Sequence, residues 1–535
     1  MVTFRDLESV HSDLKQKRAK EEGVWSEIAR SLEEDGGDGF DARSSDSRNL
    51  PSYDSSPLYA KDDFVGGLFT EAINPADNWF GLSIDDTDLK QWGPVASWLF
   101  AYSALIRSTL DPAVSTFYVD ATPWIADMSA YCSGFLAQEE NVGTGGFIDR
   151  ALPIREMFKD VDADGLTSRL HREFMLSGVQ AKGKFGSLAS RFRDDEQALF
   201  IHALFSNPDY RPGSPAARHF RWMSCYVSPD KQDFSRVGYY NELPIHEIEW
   251  QRKSGRVWGR GPGHKARADM GMLDEVARST ITAVQFAAEP MLLVHDEDVL
   301  TAADIVPNGI IPGGMSNGTG KRNVDVLDRG QNLQLPLMLH EKTRNAVREA
   351  FKFSIMQVAN RPQMTAQEFL GWKEERLRIL APHLISIHRG LAFFIQRRAA
   401  MLVRAGRVPP PPPELQGHPI KISFVSPFAQ AQKAAKARSA LQLGQAAVTL
   451  QPLNPQVGDN LDADALLRSV AEGLTGDPAH VRDPRIVNQI RQQRAAAQQQ
   501  DVELARGAQQ AGIIADVAHA GQAMTLASQR KGGAA

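Results

Sequence analysis

Between Gly255 and Val294 a knot of glycines and arginines opens into one of the longest stretches of helical pattern in the chain. It reads Gly255, Arg256, Val257, Trp258, Gly259, Arg260, Gly261, Pro262, Gly263, after which Gly271 is the one glycine and Pro290 the next proline. Apolar residues recur in steps of three and four at Ala266, Met270, Leu273, Ala277, Ile281, Val284 and Ala288, which places them on one helix stripe. At 1.5 Å per residue the spacing predicts a rod roughly 37 Å long over 265–289. A rod of that length, entered through so permissive a backbone, points to architecture before chemistry.

The 535-residue chain can bury sizeable cores and is expected to form more than one folding unit. No apolar run approaches the ~18 residues that span a bilayer. The segment from Met1 to Lys20 is polar and charged, unlike a signal peptide, so synthesis in the cytosol and no membrane partner are expected. Cys132 and Cys225 lie far apart without histidines at metal-binding spacing and read as small core hydrophobes. The net charge of -5 argues against a protein that grips phosphates with a strongly basic surface. The acidity is concentrated at the front, where residues 1–100 hold 20 Asp and Glu against 10 Lys and Arg.

Residues 5–32 read as a helix, ended by the Gly, Asp and Ser run from Glu33 to Ser56. After a turn at Asn74–Asn78, Trp79–Leu82 is strand-like; helical patterns then fill about 90–140, and short alternating runs such as Ser224–Val227 and Ile245–Trp250 predict strands in an α+β region over 145–250. Beyond the rod comes the Gly- and Pro-rich segment Asn308–Asn323, then a second helix over 339–358. A third helix opens on a capping box of Thr365 and Glu368, flanked by Met364 and Phe369 at the staple positions. Pro382 should kink it, Pro409–Pro413 should form a stiff spacer, and Ile420, Ile422 and Phe424 alternate as a strand. Helices are expected at 428–444, at 462–472 and from Asp483 with Pro484 at the first position, and the low-complexity residues after Arg494 read as frayed helix or disorder.

The chemical motifs fail on inspection. Asp160, Asp162, Asp164 and Gly165 begin like a calcium loop, but the twelfth position is His171 instead of a bidentate glutamate, which leaves a glycine-assisted turn between strands. His246-Glu247 lacks the second histidine of a zinc helix, since Trp250 stands there. Gly318-Thr319-Gly320-Lys321 lacks the earlier glycine of a phosphate loop, at Met315, and its Ser or Thr, at Arg322. Gly259, Gly261 and Gly263 have the wrong spacing for a dinucleotide fingerprint. No catalytic, cofactor or metal site is expected. Basic groups at Arg252, Lys253, Arg256, Arg260, Lys265 and Arg267, and along 342–352, read first as solvated faces or salt bridges and second as phosphate contacts.

The ordered set of landmarks resembles the head-to-tail connecting, or portal, proteins of short-tailed bacteriophages. The set comprises Trp25-Glu27-Ile28, Pro75–Leu82 with Trp79 and Phe80, Pro153–Gly165, Gly255–Pro262 with the helix to Pro290, Pro312-Gly313-Gly314, Met364–Glu368, Pro382, and Ser426–Gln432. It departs from the family pattern at Trp258, His264 and Gly271, the last expected to interrupt the helix. The resemblance implies a mainly helical α+β portal fold assembled as a ring of about twelve identical subunits. It implies a wing over 1–254, a first stem helix over 255–290, a clip over 291–335, a second stem helix over 336–358, a tunnel loop with a wing helix and strand over 359–426, a crown over 427–500 and a tail over 501–535. The implied function is a channel at one capsid vertex, filled with double-stranded DNA by the terminase large subunit and later emptied through the tail. Further implied partners are a tail adaptor and the major capsid and scaffolding proteins; the alternatives are another head-tail component such as a tail adaptor, or a packaging enzyme. Candidate DNA-facing residues are Glu341, Arg344, Arg348, Glu349, Lys352, Lys265 and Arg267. Asn360, Arg361, Pro362 and Gln363 are candidates for the tunnel loop, and Asn308, Gly313, Gly314, Asn317, Lys321 and Arg322 for the clip. In such a ring the apolar stripe of the rod is expected to pack mainly on neighbouring stem helices.

Overall fold

The computed structural model describes residues 4–34, 52–86, 89, 93–141, 145–288, 292–294, 324–326, 334–356, 366–424, 427–452, 460–474, 481 and 484–531. Two compact units result, one from the described parts of 1–81, 104–408 and 424–428, the other from those of 82–103, 409–423 and 429–535. In chain order the elements are α1 (Phe4–Leu32), α2 (Ser56–Ile73), β1 (Phe80–Ser83), α3 (Gly93–Ser108), α4 (Phe117–Tyr131), β2 (Ser133–Asn141), β3 (Gly146–Leu152), β4 (Met157–Val161), β5 (Thr167–Ser177), α5 (Gly178–Phe185), β6 (Gln197–Ser206), β7 (Trp222–Ser228), β8 (Lys231–Tyr240) and β9 (Ile245–Glu249). There follow α6 (Pro262–Ala288), β10 (Leu292–Val294), β11 (Val324–Val326), α7 (Gln334–Ala350), α8 (Phe353–Met356), α9 (Ala366–Arg404), β12 (Lys421–Phe424), α10 (Pro427–Leu450), α11 (Ala463–Leu474) and α12 (Pro484–Lys531).

In the first unit an antiparallel sheet has the order β4-β5-β6-β7-β8, and a second has the order β3-β2-β9. Its central strand β6 is almost continuously apolar because both faces are covered. Ala198 and Phe200 pack with Phe174, Phe185, Phe192 and Phe234 on one side, while Ile201, Ala203 and Phe205 pack with Leu7 of α1 on the other. The sheets are tied by the buried Lys159 of β4, whose ammonium is 2.6 Å from Glu249, also meets Glu247, and lies 4.9 Å from the Trp258 ring. The calcium-like sequence is the turn between β4 and β5: Gly165 has φ +72°, and Asp162 Oδ1 accepts from the Asp164 and Leu166 amides.

Under α1, His11 and Lys15 bond Glu173 of β5, and His11 stacks on His171 at a ring separation of 5.5 Å. Burial, then the charges of His11 and Arg169, push the His171 imidazole from 6.5 to about 3. Burial favours the neutral Glu173 carboxyl, but the His11 and Lys15 bonds outweigh it and hold the group at about 2 against 4.5. Both groups bind fewer protons in the native state than in the unfolded chain. Their stabilisation is therefore present at neutral pH and lost as pH falls through 6.5 for the histidine and through 4.5 for the glutamate. Lowering the pH to 5 is expected to cost about 2 kcal/mol through His171 alone. Urea unfolding of the protein and of His171→Leu at pH 7 and pH 5 checks this; an equal drop in both would contradict it.

In the second unit Ile84, Val95, Leu99 and Leu415 form a small core, and the Trp98 indole donates to the Pro409 carbonyl at 3.0 Å, fixing the start of the proline run. Asp462 caps α11, and Arg491 of α12 forks onto Asp464 at 2.7 and 2.9 Å.

Several expectations change. The pattern read as helical to 140 ends at Cys132, whose φ of +78° stops α4 and sends the chain into β2, which pairs with β3 and β9. The second long helix spans 334–350, not 339–358, because Lys352 adopts φ +57° and breaks it before α8. The rod starts at Pro262, where a proline costs no hydrogen bond, and runs on through Gly271, whose absent side chain faces open space. The low-complexity tail is helical to Lys531. Residues 35–51 of the front loop, and Thr365 of the capping box, lie outside the described residues.

Candidate functional site

The glycine and arginine knot sets the start of α6. Of its glycines, Gly255 alone needs the left-handed region, with φ +73°. Gly259, Gly261 and Gly263 serve a different purpose: added Cβ atoms would collide with Gln251 and Cys132 at 259 and with the Ala130 carbonyl at 263, and would press tightly, at 3.1 Å, on the Met128, Ser129 and Cys132 backbone at 261. The knot therefore slides along the C-terminal end of α4, and its glycines allow backbone to approach backbone. Its arginines do not point to a phosphate. Arg260 donates to Glu21 Oε2 of α1 at 2.8 Å, and Arg256 reaches Glu21 Oε1 at 3.3 Å. The Trp258 ring stands edge-on to Trp25 of α1 at 4.9 Å.

From this anchor α6, 27 residues and roughly 40 Å long, packs against α1, α4 and α7. Ala266, Met270, Leu273 and Ala277 are buried within the chain, whereas Ile281 and Val284 are exposed. The expectation that the stripe packs mainly on neighbouring copies is thus corrected for its first half, which the chain's own helices cover. The chain leaves α6 through β10 and returns to α7 through β11, paired antiparallel with Leu292 opposite Val326. On α7 Thr343 and Val347 are buried, and the Phe351 ring that follows meets Phe64 of α2 at 6.0 Å.

The short stretch before α2 braces both helices. Asp274 of α6 accepts from Ser52 Oγ at 2.8 Å and from the Tyr53 amide at 2.6 Å, with Arg30 of α1 at 3.3 Å. Asp54 accepts from Arg344 of α7 at 3.0 Å, and His340 is 2.7 Å away. Burial favours the neutral Asp54 carboxyl, yet hydrogen bonds from Ser56, then from Arg344 with its charge, hold it at about 2.

The expected DNA-facing residues separate accordingly. Arg344 is committed to Asp54 and half-buried. Arg348 lies 5.1 Å from the Phe353 ring, and Glu349 accepts from Ser354 Oγ at 3.0 Å. Glu341 and Lys265 are exposed, and Arg267 is 3.4 Å from Glu27 of α1. Lys265 and Lys352, 87 positions apart, both act on His383, whose imidazole is pushed down by burial and, to a smaller degree, by their charges despite a bond to the Trp250 carbonyl. Asn308, Gly313, Gly314, Asn317, Lys321 and Arg322, and Asn360, Arg361, Pro362 and Gln363, lie outside the described residues.

Residue-by-residue motif reading missed Glu21, Asp54 and Asp274. The acidic front of the sequence carried the signal for two of them: Glu21, Glu27 and Asp54 meet Arg256 and Arg260, Arg267, and Arg344. With acids and bases interleaved along α6 and α7, phosphate contacts on these helices would be weak and readily exchanged.

The model of the bacteriophage head to tail connecting protein family matches residues 5–481. The probable portal protein of Bordetella phage BPP-1 is 26% identical over 520 residues, covering 92% of this chain and 89% of that protein. The portal protein of Salmonella phage epsilon15 is 22% identical over 518 residues, covering 93% and 92%. Among solved structures, a chain of the virion of a native gene transfer agent particle aligns over 80% of this chain and 89% of its own at 10% identity and a TM-score of 0.35, too loose a likeness to argue from. No helix among the described residues is long and apolar enough to cross a membrane. With the family match running over nearly the whole chain, this protein belongs to the bacteriophage head to tail connecting proteins and functions as a portal.

Proposed function

We propose that about twelve copies close into a ring at one vertex of the capsid, held by side-by-side heterologous contacts. Double-stranded DNA passes through the axial channel, inward under the terminase large subunit and outward through the tail. The observation that carries this reading is the packed pair α6 and α7, joined through antiparallel β10 and β11 on either side of a long Gly- and Pro-rich segment. In this reading the pair walls the channel as a stem, and 291–335 is the clip on which terminase and then the tail adaptor dock. Residues 359–363 contribute to the tunnel loop, 1–254 and 365–426 form the wing, and 427–500 form the crown facing the capsid and scaffolding proteins.

Weak contact suits a conduit. Each fixed phosphate contact adds affinity and with it a barrier to movement. Exposed Lys265, Glu341 and Lys342, repeated by symmetry, make belts of mixed charge, while Arg344 serves as an internal anchor to Asp54 and not as a DNA contact. No catalytic role is proposed. Electron microscopy of the purified protein is expected to give rings with a central hole. Compact monomers alone, at high protein concentration, would overturn the reading.

A further inference from the structure

Three arginines of the first unit stand exposed without an acid. The loop 207–221 between β6 and β7 carries Arg211, Arg218 and Arg221 against the single acid Asp209, and among the described residues none of the three makes an ion pair. The loop is stiff. The Asn207 side-chain amide donates to the Arg218 and Phe220 carbonyls, both at 2.8 Å, and the Arg211 amide donates to the His219 carbonyl at 3.1 Å. Pro208, Pro212 and Pro215 fix further backbone angles, and Gly213 takes the turn at φ +75°. The bond from 211 to 219 brings the backbones at 211 and 218 together, so the arginines share one small surface. Guanidinium forks on so fixed a backbone recognise carboxylates or phosphates with little loss of freedom.

The chain carries a matching anion. Its front acids Glu21, Glu27 and Asp54 meet cations of the knot, of α6 and of α7, while the stretch 34–46 holds Glu34, Asp35, Asp38, Asp41 and Asp46 against Arg43 alone. Both flanks of this stretch are fixed: Lys61 donates to the Leu32 carbonyl at 2.6 Å, and Ser52 Oγ to Asp274 at 2.8 Å. Leu7, which packs with Phe205 at the foot of the loop, is roughly 37 Å along α1 from Leu32. The chain from Leu32 to Asp41 reaches about 30 Å when drawn straight. Even at that limit Glu34, Asp35 and Asp46 fall short of the loop of their own chain. The loop of an adjacent copy is free of this restriction.

We propose that residues 34–46 of one copy lie on the 207–221 loop of an adjacent copy, with Arg211, Arg218 and Arg221 taking the carboxylates of Asp35, Asp38 and Asp41. The proposal rests on the ring described above and names a contact within it. Carboxylates are favoured over nucleic acid phosphates because the chain supplies an acidic segment of its own and has a net charge of -5. The contact is ionic and exposed, so salt weakens it.

Oxidative cross-linking of the full-length protein tests it, because the native Cys132 and Cys225 are buried. Rings carrying Asp38→Cys and Arg218→Cys together should give a ladder of covalently joined copies on non-reducing gels. Rings carrying Asp38→Cys with Gln232→Cys, exposed at the opposite end of the sheet, should remain mostly single chains. Exchange of charge is the second measurement. Arg211→Glu, Arg218→Glu and Arg221→Glu together should raise the protein concentration for half-maximal ring formation about tenfold at low salt, and adding Asp35→Arg, Asp38→Arg and Asp41→Arg should restore it. Rings without the 38–218 ladder, or with equal ladders in both cysteine variants, overturn the contact and leave the ring standing. So does a loop reversal that leaves ring formation unchanged while abolishing retention of closed circular DNA, which cannot thread a channel and so reports a nucleic acid surface. A parent protein that forms no rings overturns the ring, and the contact with it.

Discussion

Arg398→Met should lower the unfolding free energy by about 3–5 kcal/mol, the cost of leaving a buried charge without its partner. Arg398 of α9 and Asp149 of β3 are fully buried and in direct contact, so the pair fastens the longest helix of the first unit to a sheet. The guanidinium is 3.8 Å from the Phe147 ring and donates to the Thr109 carbonyl at 3.3 Å, while Ser115 donates to Asp149. Burial pushes the Asp149 carboxyl up even against the attraction of Arg398. Without Arg398 burial dominates, and the carboxyl folds more readily with a proton than without one. A carboxyl with a raised native pKa loses stability as pH rises, so the variant's deficit should widen from pH 5 to pH 8. Adding Asp149→Leu should restore much of the loss, since an apolar pair of similar volume avoids the stranded charge. Chemical denaturation of the single and double variants measures all three effects; a single variant within 1 kcal/mol of the parent, as expected of a surface pair, would contradict the assignment.

Gly259→Ala is expected to cost about 3 kcal/mol, and Gly263→Ala a similar amount, toward the upper end for overpacking because the obstacle is mainly backbone. At position 259 the new methyl would lie 2.5 Å from Cys132 Sγ and closer still to the Gln251 carbonyl; at 263 it would strike the Ala130 carbonyl. Neither the C-terminal turn of α4 nor the first turn of α6 can yield without moving the other. Gly271→Ala is the internal control, because nothing lies within 4 Å of its added methyl and alanine is the better helix former. It should stabilise by about 0.5–1 kcal/mol. Thermal melts of the three variants separate the readings: if all three glycines respond alike, the knot is merely flexible and the close approach to α4 has no energetic weight.

The contrast among these glycines shows where the sequence is legible. The 3.6-residue period marked α1 and α6, a capping box announced α9, and alternation marked β7, β9 and β12, because each of those signals is written within a single element. The helix over-read to 140 failed at Cys132, a non-glycine residue at φ +78° that the pattern does not flag. The early stop of α7 has the same origin in Lys352. For the candidate site, the cations of the knot and of α7 were visible as cations, while their acids stood over 200 positions away in the front of the chain. Charge counts detected that acidic excess without saying which arginine each acid would meet.

By itself the sequence determined the kind of protein this is: a mainly helical α+β chain whose ordered landmarks belong to a portal, with no assembled catalytic motif. Periodicity and family order survive in one dimension because they depend on neighbours along the chain. Tertiary structure alone decided that Gly259, Gly261 and Gly263 make room for α4, that Arg256 and Arg260 neutralise Glu21, that Arg344 belongs to Asp54, and that the first half of the rod is buried in its own chain. Those outcomes depend on which surfaces meet, and steric exclusion and charge pairing act through space between residues that the sequence holds far apart.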